Sequence, residues 1–350
     1  MLALTTLPGS ANSAQLKDVP PPPASDGAVL VRTRAIGICG TDREIIDGLY
    51  GAPPDTDDYL ILGHESVGIV ETAPPGCGLA QGDLVVGIVR RPDPVPCAAC
   101  RVGEWDMCRN GLYTERGIRK RHGYGSQLYR IDPGFAVKVD ASLGLDAVLL
   151  EPASVVAKAW DHIERIGKRA VWEPERVLVT GAGPVGLLAA LMARQRGYDV
   201  HVFDRATGGP KADLVRDLGA TYHSGDLTKL KITPDIVLEC TGASTVIVTV
   251  INMTAPGGIV CLTGVSSGGH VVSLDVGLVS RAMVLENDVI FGSVNANRRH
   301  YDLAAAALHH ADRDWLARLI SRKVPLAKWA DALERRPGDV KVVIDFDGAA

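Results

Sequence analysis

Two stretches early in the chain hold residue types that bind metals. Gly37-Ile38-Cys39-Gly40-Thr41-Asp42 precedes Gly63-His64-Glu65. A catalytic zinc takes three protein ligands from thiolate, imidazole and carboxylate, and keeps a further position open for water or substrate. Cys39 and His64 are candidate ligands, and Glu65 or Glu151 can supply the carboxylate. Singly, Cys39 reads better as a packed thiol and His64 as a satisfied core imidazole. Their joint occurrence upstream of a dinucleotide motif favours the metal. A second cluster comprises Asp93, Cys97, Cys100 and Cys108. Closed structural zinc sites take four ligands; here three thiolates are present and Asp93 could be the fourth, the alternative being a lobe with free thiols. Cys77, Cys240 and Cys261 lie apart and read as packing residues.

Further on, Gly181-Ala182-Gly183-Pro184-Val185-Gly186 fits G-x-G-x-x-G. The pattern alone is weak. It gains meaning here because it follows a short apolar strand and opens a helical run. Gly181 allows the tight turn, Gly183 lets a pyrophosphate approach the backbone, and Gly186 lets helix pack on strand. The helix N-terminus then offers free N–H groups to the phosphates. The next strand ends at Phe203-Asp204-Arg205. An acidic residue there bonds the ribose hydroxyl of NAD, whereas an Arg can hold the 2′-phosphate of NADP. With both Asp204 and Arg205 present, NAD and NADP both stay open.

These residues need elements to hold them. Around the first cluster the chain is β-rich, with strands at Val29 to Ala35, Val67 to Val70 and Asp83 to Val89, punctuated by Pro and Gly. This predicts a distorted barrel of short strands. From about Arg176 strands alternate with helices: Arg176 to Thr180, Asp199 to Phe203, Asp235 to Glu239, Gly258 to Leu262 and Val289 to Gly292. Such alternation predicts βαβ units and a doubly wound parallel sheet, so the fold class is α/β. The tail ends in a strand, Val340 to Phe346, read as the chain returning to complete its first domain. The expected division is residues 1–157 completed by 299–350, and 158–298 as the dinucleotide domain.

The chain has 350 residues and a formal net charge of -4, with 5% aromatic residues. That composition offers neither a basic field nor stacking platforms for nucleic acid. The start lacks a signal-like basic and apolar pattern, and no apolar run reaches membrane-spanning length. Seven cysteines, three of them clustered, suit a metal site better than a disulfide framework. The expectation is a cytoplasmic enzyme with no membrane or nucleic-acid partner.

With these motifs in their order, the sequence resembles the zinc-containing medium-chain dehydrogenases over nearly its whole length. It is most similar to their archaeal glucose dehydrogenase branch. The segments that carry this are Cys39-Gly40-Thr41-Asp42-Arg43-Glu44, Arg90-Arg91, Tyr113-Thr114-Glu115-Arg116-Gly117-Ile118, His122-Gly123-Tyr124 and Gly292-Ser293-Val294-Asn295. The resemblance implies a GroES-like β-rich catalytic domain beside a Rossmann domain. It also implies zinc-dependent hydride transfer from C1 of an aldose to NAD or NADP, giving the lactone. The alternative is a sorbitol- or threonine-like polyol or amino-alcohol dehydrogenase. By position, the resemblance implies Cys39, His64, Glu65 and Glu151 around the catalytic zinc, with Thr41, Glu65 and Glu151 in proton transfer. Thr41, Glu115, Glu151 and Asn295 would contact the sugar. Gly181, Gly183, Pro184, Val185, Gly186, Asp204, Arg205, Gly264, Val265, Ser266, Ser293, Val294, Asn295 and Lys341 would hold the cofactor. A homodimer or homotetramer is implied. The chain departs from the branch at Val89 or Arg90 and at Val155, where some members carry sugar-contacting polar residues, and at Ala206, where some carry a second Arg.

Overall fold

The computed structural model describes residues 1–266 and 271–348; residues 267–270 and 349–350, which fall within the expected domain ranges, lie outside them. The chain forms two compact units, Met1–Ser154 with Asn295–Ala350, and Val155–Val294.

The first unit is built around the strand Val29–Ile38, the longest of its seven-stranded sheet. One edge pairs antiparallel with Glu65–Thr72. The other edge is shared: Leu128–Ile131 pairs with its first half, and Lys341–Asp345 with its second. Burial follows from this division. The first residues alternate buried and half-buried, whereas the last four are all buried, as expected where both faces are covered. The core on this sheet includes Val31, Ile36, Ile38, Val70, Val85, Tyr124 and Tyr129.

Register delivers the chemistry. Gly37 stands opposite Glu65, and Ile38 opposite Val342. Cys39, the start of Glu65–Thr72 and the start of Lys341–Asp345 therefore meet at one end of the sheet. A smaller sheet, Arg90–Arg91 with Thr114–Arg116 and Lys120–Arg121, presents Glu115.

The second unit holds a six-stranded parallel sheet. Its order is Thr221–His223, Asp199–Phe203, Arg176–Thr180, Ile236–Glu239, Ile259–Leu262, Val289–Gly292. The first three strands in sequence run outward one way and the next three the other, the order of a dinucleotide-binding fold with a crevice at the reversal. Helix Pro184–Gln195 buries every residue from Gly186 to Ala193, matching its apolar sequence all round. The strand Thr221–His223 was not anticipated from sequence. It is three residues long, has no apolar run, and exists because Asp199–Phe203 offers it a free edge. Among the described residues no helix is long and apolar enough to cross a membrane.

Candidate active site

Cys39, His64 and Glu65 bring their ligand atoms within 4.8 Å of one another. Cys39 ends the central strand and caps the helix Gly40–Ile46; its Sγ accepts from the Thr41 N–H at 3.3 Å. The same Sγ lies 3.0 Å from His64 Nε2. On the other side of the imidazole, Nδ1 sits 3.3 Å from buried Asp42, whose second oxygen accepts from the Cys39 N–H at 2.9 Å. A carboxylate behind a histidine fixes its tautomer and aims the opposite nitrogen at a metal. A thiolate, an imidazole so oriented and a carboxylate form a donor set that fits zinc.

The electrostatics are those of charged groups gathered out of water. Burial opposes a charged His64, but the Cys39 thiolate and Asp42 outweigh it and lift its pKa well above the usual imidazole value. Burial also works against Asp42, and the ring beside it wins, holding the carboxyl below its ordinary value. Glu151, in the first turn of Leu150–Gly167, lies outside the 4.8 Å group but within its field. Burial pushes its carboxyl up to about 7, with His64 pulling the other way.

Lys341, expected at the cofactor, pairs with a member of the metal cluster. Its Nζ bonds both oxygens of Glu65, at 2.7 and 2.5 Å, and the Ile38 carbonyl at 3.4 Å. Burial disfavours this ammonium, yet Glu65 keeps it charged and raises its pKa. The ammonium thus holds a carboxylate of the metal cluster. No sequence pattern marked this pair, or Asp42, because each depends on strand register or helix direction.

Glu115 and Asn295, far apart in sequence, meet: Asn295 Nδ2 donates to Glu115 Oε1 at 2.7 Å. Asn295 adopts a left-handed φ of 62°, a region Asn tolerates better than most residues. Arg90 grips the same oxygen through Nε and Nη2 at 3.1 and 3.0 Å and stacks over Tyr113. Its Nη1 reaches the Asp106 carbonyl at 3.0 Å, and the Asp106 carboxylate takes Asn297 Nδ2 at 2.7 Å. Asp106 and Asn297 were missed in sequence; their signal is only this tertiary contact.

In the thiol lobe, Cys97, Cys100 and Cys108 also cluster within 4.8 Å. Backbone N–H groups of Arg109 and Cys100 lower the Cys97 thiol to about 6, while burial raises Cys100 to about 11. Asp93 is buried, caps the Val95 N–H and places Oδ2 at 3.9 Å from Cys108 Sγ. It lies outside the thiol group. Three clustered sulfurs with amide donors fit a bound zinc; the carboxylate stands at the rim.

In the second unit, Gly181 turns at a φ of 93°. A Cβ at Gly186 would collide with the Gly181 carbonyl, so the helix can pack only as glycine. At Gly183 a Cβ would meet nothing, and this residue caps Pro184–Gln195 without a side chain, leaving open space over the first helical turn. The loop is braced by Asp204, which accepts from Ala182 N–H at 2.7 Å and Ala206 N–H at 3.0 Å. Arg205 is exposed. Buried Glu239, unassigned in sequence, ties the neighbouring loop through Thr180, Thr241 and Gly242. Gly264 must be glycine because Gly242 lies against it, while Val265 is exposed and Ser266 Oγ bonds the Gly242 carbonyl. Ser293 Oγ is buried with no hydrogen-bond partner among the described residues, a polar atom open to a ligand. Val294 offers its carbonyl to Lys158 Nζ at 3.0 Å. An open phosphate cradle, a braced carboxylate and an orphaned hydroxyl fit a nicotinamide dinucleotide.

Two family models match the chain: "Alcohol dehydrogenase GroES-like domain" over residues 25–141 and "Glucose dehydrogenase C-terminus" over 145–346. The glucose 1-dehydrogenase of Methanocella arvoryzae is 39% identical, with 99% of each chain covered. That of Thermoproteus tenax is also 39% identical, over 98% of this chain and 99% of its own. Among solved structures, Haloferax mediterranei glucose dehydrogenase in complex with NADP, Zn and gluconolactone superposes with a TM-score of 0.91, at 30% identity over the whole of both chains.

The contact between Gly37 and Glu65 can be tested directly. A Cβ on Gly37 would collide with the Glu65 carboxylate. Gly37→Ala is expected to cost about 1–3 kcal/mol in urea unfolding, as overpacking does. An unchanged midpoint would show that Glu65 has room to move.

Proposed function

The chain belongs to the zinc-containing medium-chain dehydrogenases, in their glucose dehydrogenase branch, and on that premise we propose how its own residues divide the work. The activity is oxidation of an aldose at C1, with hydride passing to NAD(P) and the lactone as product. Cys39, His64 and Glu65 would hold the catalytic zinc, with Glu151 beside them; the cluster of their donor atoms carries this reading. When bound there, zinc supplies a Lewis acid that eases loss of the hydroxyl proton. Asp42 keeps His64 Nε2 directed inward. Thr41, at the N-terminus of its helix beside Cys39, would start a proton path. Glu151, with its carboxyl near 7, suits a proton acceptor at neutral pH.

Glu115 and Asn295 would orient the other hydroxyls of the sugar. The network through Arg90 holds both before substrate arrives, so less is lost in ordering them. Gly181, Gly183, Pro184, Val185 and Gly186 would cradle the pyrophosphate, and Asp204 would face the adenosine ribose. Gly264, Val265, Ser266, Ser293 and Val294 would line the nicotinamide half. The braced Asp204 charge supports NAD over NADP, although Arg205 is free to turn toward a 2′-phosphate. Cys97, Cys100 and Cys108, with Asp93 at the rim, would hold the structural zinc.

Self-association is supported by the open strand edge Val289–Gly292 and by exposed Val276, Leu278, Val284 and Leu285 on the helix Val276–Glu286. A cytoplasmic setting is supported by seven cysteines that all remain thiols.

Three measurements test these roles. Chelation should abolish turnover of glucose and zinc should restore it; full activity in metal-free protein would overturn the zinc assignment. Glu115→Gln should lower kcat/KM for an aldose by at least about tenfold while barely affecting simple alcohols, because groups built to pair hydroxyls discriminate by them. Equal losses, at unchanged thermal stability, would remove Glu115 from the sugar site. Asp204→Asn should shift the NADP-to-NAD ratio of kcat/KM upward by roughly tenfold, the weight of one nearby charge. A constant ratio would take Asp204 out of cofactor choice.

A further inference from the structure

A cavity of about 550 Å³ opens in the first unit, between the prolines Pro20–Pro23 and the segment Arg116–Arg130. None of its lining residues belongs to the metal cluster, the thiol lobe or the Glu115–Asn295 network. In the strand Thr114–Arg116 successive side chains point to opposite faces. Glu115 joins the Arg90–Asn295 network, and Arg116 lines this cavity.

Cations outnumber acids along the lining: Arg116, Lys120, Arg121 and Arg130 stand against Asp26 and Asp57, and Asp26 offsets Arg116 and Arg121 only in part. Arg116 is 2% exposed; its guanidinium donates to the carbonyls of His122 at 3.2 Å, Arg130 at 2.6 Å and Asp26 at 3.4 Å and lies 5.4 Å from the Tyr124 ring centroid, with no carboxylate in an ion pair among the described residues. Its Nε has no partner among the described residues. Burial draws its pKa down to about 10, with Arg91 and Arg121 adding to the effect. Arg121 is half-buried, and among the described residues its guanidinium makes neither a hydrogen bond nor an ion pair. Arg130 has one bond, to the Gly27 carbonyl at 3.4 Å. Two acids share the lining: Asp57 faces His122 at 3.4 Å, and Asp26 forms no ion pair with any of the three arginines. A buried cation whose counter-charge is only partial is favoured by an anion that completes its neutralisation. The rest of the cavity suits an organic body. Tyr59 stacks on His122 with centroids 5.0 Å apart, and Pro20–Pro23 form a stiff apolar wall. The volume lies in the range of small-molecule sites.

We propose that this cavity binds a small phosphate monoester. Arg116, Arg121 and Arg130 hold the phosphate, and the organic part lies against Tyr59, His122 and the proline wall. A phosphate monoester matches better than a lone carboxylate. It carries close to two charges and three terminal oxygens, which forked guanidinium donors pair in number and geometry. A sugar phosphate and a nucleotide both present this chemistry. The proposal stands on the cavity and its arginines, and does not depend on the dehydrogenase assignment.

The test uses zinc-loaded protein with its dinucleotide site saturated by NAD, titrated calorimetrically at constant ionic strength. The probes are inorganic phosphate, glucose 1-phosphate and AMP. Saturable binding of one ester, tighter than that of inorganic phosphate, is expected; the tighter ester identifies a sugar-phosphate or a nucleotide source. Arg121→Ala with Arg130→Ala should weaken it at least about tenfold, the scale of losing charge-assisted bonds, while kcat for the aldose stays unchanged. Where the double variant does not fold, Arg121→Ala alone serves, since among the described residues that guanidinium makes no hydrogen bond or ion pair. No saturable binding by either ester, binding no tighter than inorganic phosphate, or an affinity unaltered by the variants would overturn the proposal.

Discussion

The buried pair between Lys341 and Glu65 is the constraint on which the catalytic half depends. A carboxylate taken out of water is costly unless a partner meets it with good geometry. Lys341 supplies that partner from the last strand of the chain, some 276 positions away in sequence. The pair forms only if Lys341–Asp345 adds beside Val29–Ile38 in the observed register, and only if Gly37 leaves room for the carboxylate. The return of the chain to its first unit is therefore more than a closing strand. It neutralises one candidate ligand while leaving Cys39 and His64 facing each other.

The same economy of charge recurs at the network around Glu115. Glu115 is held by Arg90 and Asn295, and Asp106 by Asn297. The tail segment from Asn295 thus ties the strand Thr114–Arg116 and the thiol lobe in one hydrogen-bonded set. The Arg90 guanidinium is satisfied by Glu115, the Asp106 carbonyl and the Tyr113 ring. Arg90 is thus committed within the network, and the Asn295 amide reaches the same Glu115 oxygen.

In the dinucleotide unit, close backbone approach does the positioning. Gly181, Gly186, Gly242 and Gly264 are each placed where a side chain would strain or collide, while Gly183 stands open. Glu239 and Asp204 brace the loops at the ends of neighbouring parallel strands with N–H bonds. Two braced loops beside an open helix N-terminus form a preorganised cradle, which lowers the ordering cost of binding.

Much of this was legible from residue order alone. The Gly181 to Gly186 turn lies between strand and helix as its pattern requires, because glycine spacing and apolar runs are local signals. The alternation of strands after Arg176 also read correctly, apart from Thr221–His223, whose short polar sequence carries no signal of its own. Cys39, His64 and Glu65 were recognisable as ligand types, as were the thiols of the lobe. What sequence could not assign were partners: Asp42 behind His64, Lys341 on Glu65, Asn297 on Asp106, Glu239 under its loop, and three arginines sharing a cavity. Local composition determined which residues can do chemistry, since periodicity and turn chemistry act over a few positions. Strand register and the return of the chain decided which of them meet, since contacts between distant segments depend on packing that no local pattern encodes.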